Sequence, residues 1–499
     1  MDALNKSTCA VVLILIGCLP SDQKPLEDSM TVLNARASSL ELDTDYFPPP
    51  GEALHHETAG FAKILCSAVF ITGLNPQDAA ANVGGFISHF EERGHVVDTI
   101  VDYDRQLVSL TLPDGVTRTA KRYRNQGCVS HAIGEDSIYF SPTDVPRNLP
   151  VAETTPWPMG DVVSNDLWPD GIDMKMVEEA LNVGFGPAEA RTLGLVITYK
   201  GRILGERYSP EVDMHTPLES WSMTKSLTGT LMGVLIHQGV YALDQKAPIP
   251  EWQTEGDLRQ EIRIKDIMRM SSGIRIRNAG DPDYNPDLGY PDHLYLYTAT
   301  DNSFKWAATR PQQWPPNTVG RYRNSDPVLT SYLIRLGVEG RGGNYHEFPQ
   351  KHLFDKIGIR DGLIETDPQG NFLGQGLAFL SARDWARLAN LYLQDGVWNG
   401  ERILPEGFVE YASTLAPAWI ADERLQYGGA FFWVNGNGGW PVPETAYSMR
   451  GAGGQSATII PTHDLVVVRI GKYTGSRAGG LALNAAYELL MQAVPEAEE

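Results

Sequence analysis

Two pairs of strand-like segments, set at opposite ends of one long stretch, constrain this chain more than any other feature. Leu193-Gly194-Leu195-Val196-Ile197-Thr198-Tyr199 and the run from Arg202 to Tyr208 flank Lys200-Gly201, a two-residue turn of the kind that closes a β-hairpin. Far downstream, Ala457 to Ile460 and Leu465 to Ile470 read as two further strands separated by Pro461-Thr462-His463-Asp464. Helix-like segments begin at Asp173 and run from Leu481 to Ala493. Strands at both ends with helices between predict an α/β (α+β) domain over residues 151–495. Its antiparallel sheet would be completed by distant parts of the chain and flanked by helices.

At 499 residues the chain has room for two or three domains, and its core can be sizeable without cross-links. The segment 57–150 is expected to be a small mixed α/β module placed before the main domain. Val96 to Asp102, Gln106 to Leu112 and Val116 to Tyr123 alternate like strands, with a hairpin turn at Asp114-Gly115. Phe61 to Phe70 is apolar throughout, and its pattern does not decide between helix and strand. A structural cap on the following domain is the expected role of this module. Residues 19–56 are polar and contain Phe47-Pro48-Pro49-Pro50-Gly51, which predicts a tether. His55-His56, at its end, is expected to lie in a solvated loop.

The formal charge of −21 argues against nucleic acid and anionic membrane surfaces as partners, since both call for clustered Lys and Arg. None of the eleven histidines falls in an HExxH motif, and no CxxC or Cys/His zinc spacing occurs. No metal and no cofactor is implied. Near the N-terminus Lys6 precedes an apolar run that ends Leu15-Ile16-Gly17-Cys18. This resembles a bacterial lipoprotein signal over residues 1–18, with Cys18 lipidated; an ordinary signal peptide or a short helix is the alternative. The expectation is export to the cell envelope, as a lipoprotein or a secreted protein, with any membrane contact made through that anchor. Export permits a disulfide, and of the four cysteines Cys66 and Cys128 are the remaining pair.

One segment carries chemistry. Trp221-Ser222-Met223-Thr224-Lys225 opens a stretch to Gln238 that is apolar on most faces, has small residues at Gly229 and Gly233, and stops at Gly239. Ser222 therefore starts a buried helix, where backbone N–H groups favour developing negative charge. Lys225, one turn on, shares its face. A serine hydroxyl attacks poorly until a base takes its proton, and a lysine serves only if its pKa is lowered, as burial would do. The spacing alone is weak, because Ser21-Asp22-Gln23-Lys24 matches it within the polar tether.

Two more segments strengthen the case. Tyr322-Arg323-Asn324 follows Trp314 to Gly320 and precedes the helix-like Pro327 to Leu336. Residues two apart in an extended loop point the same way, so Tyr322 can pass a proton while Asn324 orients Lys225 or the substrate. Arg450-Gly451-Ala452-Gly453-Gly454-Gln455 opens a strand, and its glycines allow close approach of a substrate to backbone N–H groups.

In this order the three segments resemble the SxxK, YxN and KTG-like elements of the serine β-lactamase and penicillin-binding-protein superfamily. Arg263 to Gly273 and Gly376 to Leu388 resemble two further segments of it, and the similarity runs from about Trp168 to Ala493. The resemblance implies a β-lactamase/transpeptidase-like antiparallel sheet flanked by helices, with a helical subdomain. It implies Ser222 as nucleophile, Lys225 and Tyr322 as acid/base pair, and Asn324 as an active-site hydrogen-bond partner. It also implies the Ala452 N–H as second oxyanion donor beside that of Ser222. The chain departs from the pattern at the third element, where Met449-Arg450-Gly451 replaces the usual Lys-Thr-Gly or His-Thr-Gly that holds a substrate carboxylate. In this it resembles the branch of esterases and 6-aminohexanoate-dimer hydrolases, in which a loop tyrosine contacts the substrate. Tyr284 is the candidate here, and Arg450, Gly451 and Gly453 are candidate substrate neighbours.

The expected activity is hydrolysis of a small ester or amide through an acyl-enzyme. A β-lactamase or D-Ala-D-Ala-type peptidase is the enzymatic alternative, and a non-catalytic envelope binding protein the alternative of another class. No G-x-S-x-G occurs, which excludes an α/β-hydrolase elbow.

Overall fold

The computed structural model describes residues 26–164, 166, 168, 171–422 and 425–497. The expected signal segment and Cys18 lie outside them.

Residues 26–56 are not the expected tether. Leu26–Leu40 forms a helix, α1. Leu33 and Ala37 are buried, and Ala37 packs with Trp314, Val319 and Leu40. The Trp314 indole N–H donates to the Ala37 carbonyl at 2.9 Å, and Leu42 N–H to Gln313 O at 2.8 Å. Arg275 then reaches Glu41, and the Tyr46 hydroxyl donates to Asp292 at 2.8 Å. This segment is a strap across the main domain. Its helical signal is only Leu33, Ala37 and Leu40, at i, i+4 and i+7, and the partners that bury them lie hundreds of residues away.

The second helix, α2 (Ala53–Ser67), is buried from His56 onward, so the apolar run from Phe61 begins as helix. It covers a four-stranded antiparallel meander, β1 (Asp98–Asp102), β2 (Leu107–Thr111), β3 (Thr117–Arg122) and β4 (Cys128–Ser130). The β2–β3 turn uses Gly115 at φ 87°, a conformation that glycine adopts without strain. Cys66 on α2 and Cys128 on β4 are joined as a disulfide, with Cα atoms 6.1 Å apart. The solvated loop expected at His55-His56 is corrected too. Both residues lie in α2, and His56 is buried between Tyr290 and Tyr295. Burial lowers the His56 pKa to about 4, which makes the ring a neutral packing element.

In the main domain, Asp173 caps α3 (Met174–Phe185) by accepting from the Lys175 and Met176 N–H groups. The hairpin of β5 (Thr192–Tyr199) and β6 (Arg202–Tyr208) turns at Lys200-Gly201, both at positive φ. Helices α4 (Met223–His237), α5 (Ser325–Glu339) and α6 (Ala382–Leu393) follow. The chain then returns to the sheet as β7 (Trp433–Val434), β8 (Tyr447–Gly451), β9 (Gln455–Ile460) and β10 (Leu465–Gly471), and ends in α7 (Ser476–Ala493). The sheet order is β7-β8-β9-β10-β5-β6, antiparallel throughout, with Val467 opposite Ile197. Distant parts of the chain thus complete one sheet.

Alternate residues of β10 serve different cores. Leu465 and Val467 join α3 and α7, whereas Val466, Val468 and Ile470 join the core that contains α4 and α6. Helices cover both faces, so apolar residues of β10 point to either side, with Arg469 the buried exception. That arrangement hides the period-two signal.

Candidate active site

The approach to α4 is strained. Trp221 takes φ 48°, unusual for a bulky residue, immediately before Ser222 opens the helix. Ser222 is 9% exposed and Lys225 fully buried. The Lys225 amine lies 2.9 Å from Ser222 Oγ, donates to the Gln375 carbonyl at 2.6 Å, and is 3.5 Å from the Tyr297 hydroxyl. Burial holds its pKa well below the ordinary lysine value, with no carboxylate opposing the shift. A neutral amine in hydrogen-bond contact with a serine hydroxyl is a competent base.

Two tyrosines close in on the pair. The Tyr322 ring lies 4.9 Å from the Lys225 nitrogen. Burial raises the pKa of its hydroxyl, and hydrogen bonding to Ser222 partly opposes the rise. Tyr297, on the short helix Asp292–Thr298, is pushed up to about 12 by burial, again with Ser222 pulling the other way. Both phenols are therefore protonated at neutral pH and able to donate. Asn324 is buried, donates to the His293 carbonyl at 2.7 Å and hydrogen-bonds toward Tyr297. It thereby anchors the Tyr297 helix, and Lys225 takes its partners elsewhere. The His293 ring packs against both tyrosines, and burial beside Lys225 keeps it neutral.

The glycine strand completes the enclosure. A Cβ on Gly451 would come within 2.3 Å of Ser220 O and 3.1 Å of Ser222 N, so only glycine lets the end of β8 run against the start of α4. Ala452, next in the chain, packs in one apolar cluster with Trp221 and Tyr297. Gly453 turns away, at φ 84° against Tyr473. The side chain of Arg450 is on the opposite side of the sheet, its guanidinium 4.7 Å from the Trp440 ring and close to Tyr487. Tyr284 lies under the Arg277 guanidinium at 4.9 Å. Among the described residues no hydrogen bond or ring contact joins Tyr284 to Ser222, Lys225 or Tyr322.

The structure thus gathers Ser222, Lys225, Tyr322, Asn324, Gly451 and Ala452, sets Gly453 against Tyr473, and does not gather Arg450 or Tyr284. Sequence reasoning missed Tyr297, His293 and the Gln375 carbonyl. Tyr297 belongs to Leu294-Tyr295-Leu296-Tyr297, where an aromatic cluster was the one available cue.

The site is thus a buried serine–lysine pair at a helix start, walled by tyrosines and a glycine strand on an antiparallel sheet. The Beta-lactamase family profile matches residues 185–489, more than half of the chain, and the protein belongs to that family. A 6-aminohexanoate-dimer hydrolase of Paenarthrobacter ureafaciens is 27% identical over 276 residues, a match that spans 50% of this chain and 65% of that relative's length. Among solved structures, a Bacillus anthracis protein assigned as a 6-aminohexanoate-dimer hydrolase superposes with a TM-score of 0.51 at 19% identity. That superposition covers 68% of this chain and 88% of the other. EstCE1, a hydrolase with promiscuous acyltransferase activity, gives a TM-score of 0.50 at 15% identity, covering 63% and 98%. These structural likenesses establish the fold.

Proposed function

We propose that the protein is a serine hydrolase that cleaves a small ester or amide through an acyl-enzyme on Ser222. One observation carries this reading: the Lys225 amine, buried without a carboxylate partner, lies 2.9 Å from Ser222 Oγ. Ser222 Oγ attacks the substrate carbonyl carbon as its proton passes to Lys225. The oxyanion forms beside the Ser222 N–H and the adjoining Gly451-Ala452 backbone. The tetrahedral intermediate collapses by expelling the alcohol or amine, which takes a proton relayed from Lys225 through a tyrosine hydroxyl. Water, deprotonated by the same pair, then attacks the acyl-enzyme, releasing the acid and restoring Ser222.

The Arg450 guanidinium is turned away against Trp440 rather than placed beside Gly451 to meet a substrate carboxylate, which favours uncharged acyl groups over β-lactams. A fluorophosphonate probe should label the wild-type peptide that contains Ser222. Ser222→Ala should escape labelling, melt at a similar temperature and lose at least about a thousandfold in turnover of short p-nitrophenyl esters. Wild-type esterase activity in Ser222→Ala, or nitrocefin turnover that exceeds ester turnover, would overturn the reading.

A further inference from the structure

The N-terminal module reaches the catalytic serine. Its segment Val83 to Phe90 leaves the short helix Pro76–Asn82 and crosses to the main domain. There the Phe86 ring packs edge-on against Trp221, centroid to centroid 4.5 Å, and against Tyr297 and Tyr473 at 5.8 Å each. Trp221 precedes the nucleophile in the chain, and the Tyr297 hydroxyl contacts both Ser222 and Lys225. Ala452, the candidate oxyanion donor, packs in the same apolar cluster as Phe86. Phe86 therefore reaches the site through Trp221 and Tyr297.

The segment is held rigidly rather than hung as a flap. Arg93 donates to the carbonyls of Ala80, Val83 and Ser88. Its guanidinium also stacks on Phe61 and Phe90 at 4.6 and 4.4 Å. Glu57 accepts from the His89 backbone N–H at 2.8 Å. Ile87 is fully buried against Gly60, where a Cβ would come within 2.6 Å of it. At Gly85 a Cβ would meet the Phe90 ring at 2.4 Å and the Tyr473 ring at 2.9 Å, so the chain presses flat onto the main domain. Phe86 itself is half-buried, and it packs on Trp221, the residue before a serine that is 9% exposed.

We propose that Phe86 is a specificity-determining residue: the N-terminal module supplies with it one wall of the Ser222 site and limits the substrate to a short, uncharged acyl group. The proposal rests on the acyl-enzyme reading above. The wall comes from outside residues 185–489, so it is a property of this chain's added module and not of the matched domain. The surrounding surface of Trp221, Tyr297, Tyr473 and Ala452 is mostly aromatic and apolar, which fits an uncharged acyl chain.

The test uses the full-length protein and p-nitrophenyl acetate, butyrate and octanoate. Truncating a wall of an apolar pocket should raise the octanoate-to-acetate ratio of kcat/KM at least about tenfold in Phe86→Ala, mainly through KM. Phe86→Leu should raise it less, and Phe86→Trp should lower it. The graded pair keeps the test decisive if the alanine variant fails to fold. Ratios within about twofold of wild type in Phe86→Leu and Phe86→Trp, with Ser222 still labelled by fluorophosphonate, would make Phe86 a packing residue and leave the acyl-enzyme reading standing. A wild-type protein that the probe leaves unlabelled at Ser222 would remove both.

Discussion

Two buried lysines on two buried helices show how differently one side chain is used. Lys63 on α2 is 1% exposed and Lys225 on α4 is fully buried. Lys63 meets a carboxylate: its amine lies 2.6 Å from Glu365, which also accepts from Ser67 at 2.8 Å and from the Cys128 N–H at 2.7 Å. The Lys63 amine also donates to the Cys128 carbonyl. Burial pulls the Lys63 pKa down and lifts that of Glu365, and each opposes the other's shift. Lys225 meets hydroxyls and a carbonyl, with nothing to offset its desolvation. The first lysine, saturated with partners, joins the module to the domain. The second has its pKa lowered by burial with no carboxylate to oppose the shift, which costs stability and suits a base.

The largest effect should fall on Lys225. Lys225→Met should cut turnover by about a hundredfold to ten-thousandfold, read as kcat/KM on p-nitrophenyl acetate. Wild-type kcat/KM should fall as pH drops through the depressed lysine pKa, because a protonated amine accepts nothing. Between that value and the ordinary lysine pKa of about 10.4 the unfolded chain binds the extra proton, so stability rises with pH there. Lys225→Met should flatten this slope and raise the melting temperature. A slope left unchanged by Lys225→Met would show that Lys225 is buried as a cation.

Lys63 should behave in the opposite way. Lys63→Met strands Glu365 and should cost about 3–5 kcal/mol of unfolding free energy in urea titration, whereas Lys63→Met/Glu365→Leu should recover most of it. Fluorophosphonate labelling per folded molecule should stay near wild type in the double variant. If the double variant loses labelling while folded, the pair serves the site and the contrast between the lysines fails.

The smallest effect should come from Tyr297. Its hydroxyl, 3.5 Å from the Lys225 amine, supports the proton path without belonging to the Tyr322-Arg323-Asn324 element. Tyr297→Phe should lower kcat by about tenfold with little change in KM, and Tyr322→Phe should lower it further. The reverse order of losses would exchange the roles of the two tyrosines.

The grouping of Ser222, Lys225, Tyr322 and Asn324 was largely legible in the sequence because its parts are local. A serine at a helix start, a lysine one turn on, and a tyrosine and asparagine two apart each follow from backbone geometry. The hairpin turns at Lys200-Gly201 and Asp114-Gly115 were legible for the same reason. The strap α1 was not, since its three apolar residues are explained only by Trp314 and Val319. Arg450 read as a substrate neighbour because its place in the motif was visible, but the face on which a strand residue points depends on register, and register is set by the partner strand. Tyr284 was chosen by its loop position, whereas the tyrosines beside Ser222 are Tyr322 and Tyr297.

By itself, then, the sequence determined the class of fold and the Ser222–Lys225 pair, because hydrophobic period, turn chemistry and helical spacing act within a few residues. Only the tertiary structure decided that Tyr297 joins the pair, that Arg450 leaves it, and that Phe86 closes in from another module. Those choices depend on side chains brought together across the chain by packing, for which no short-range pattern is needed.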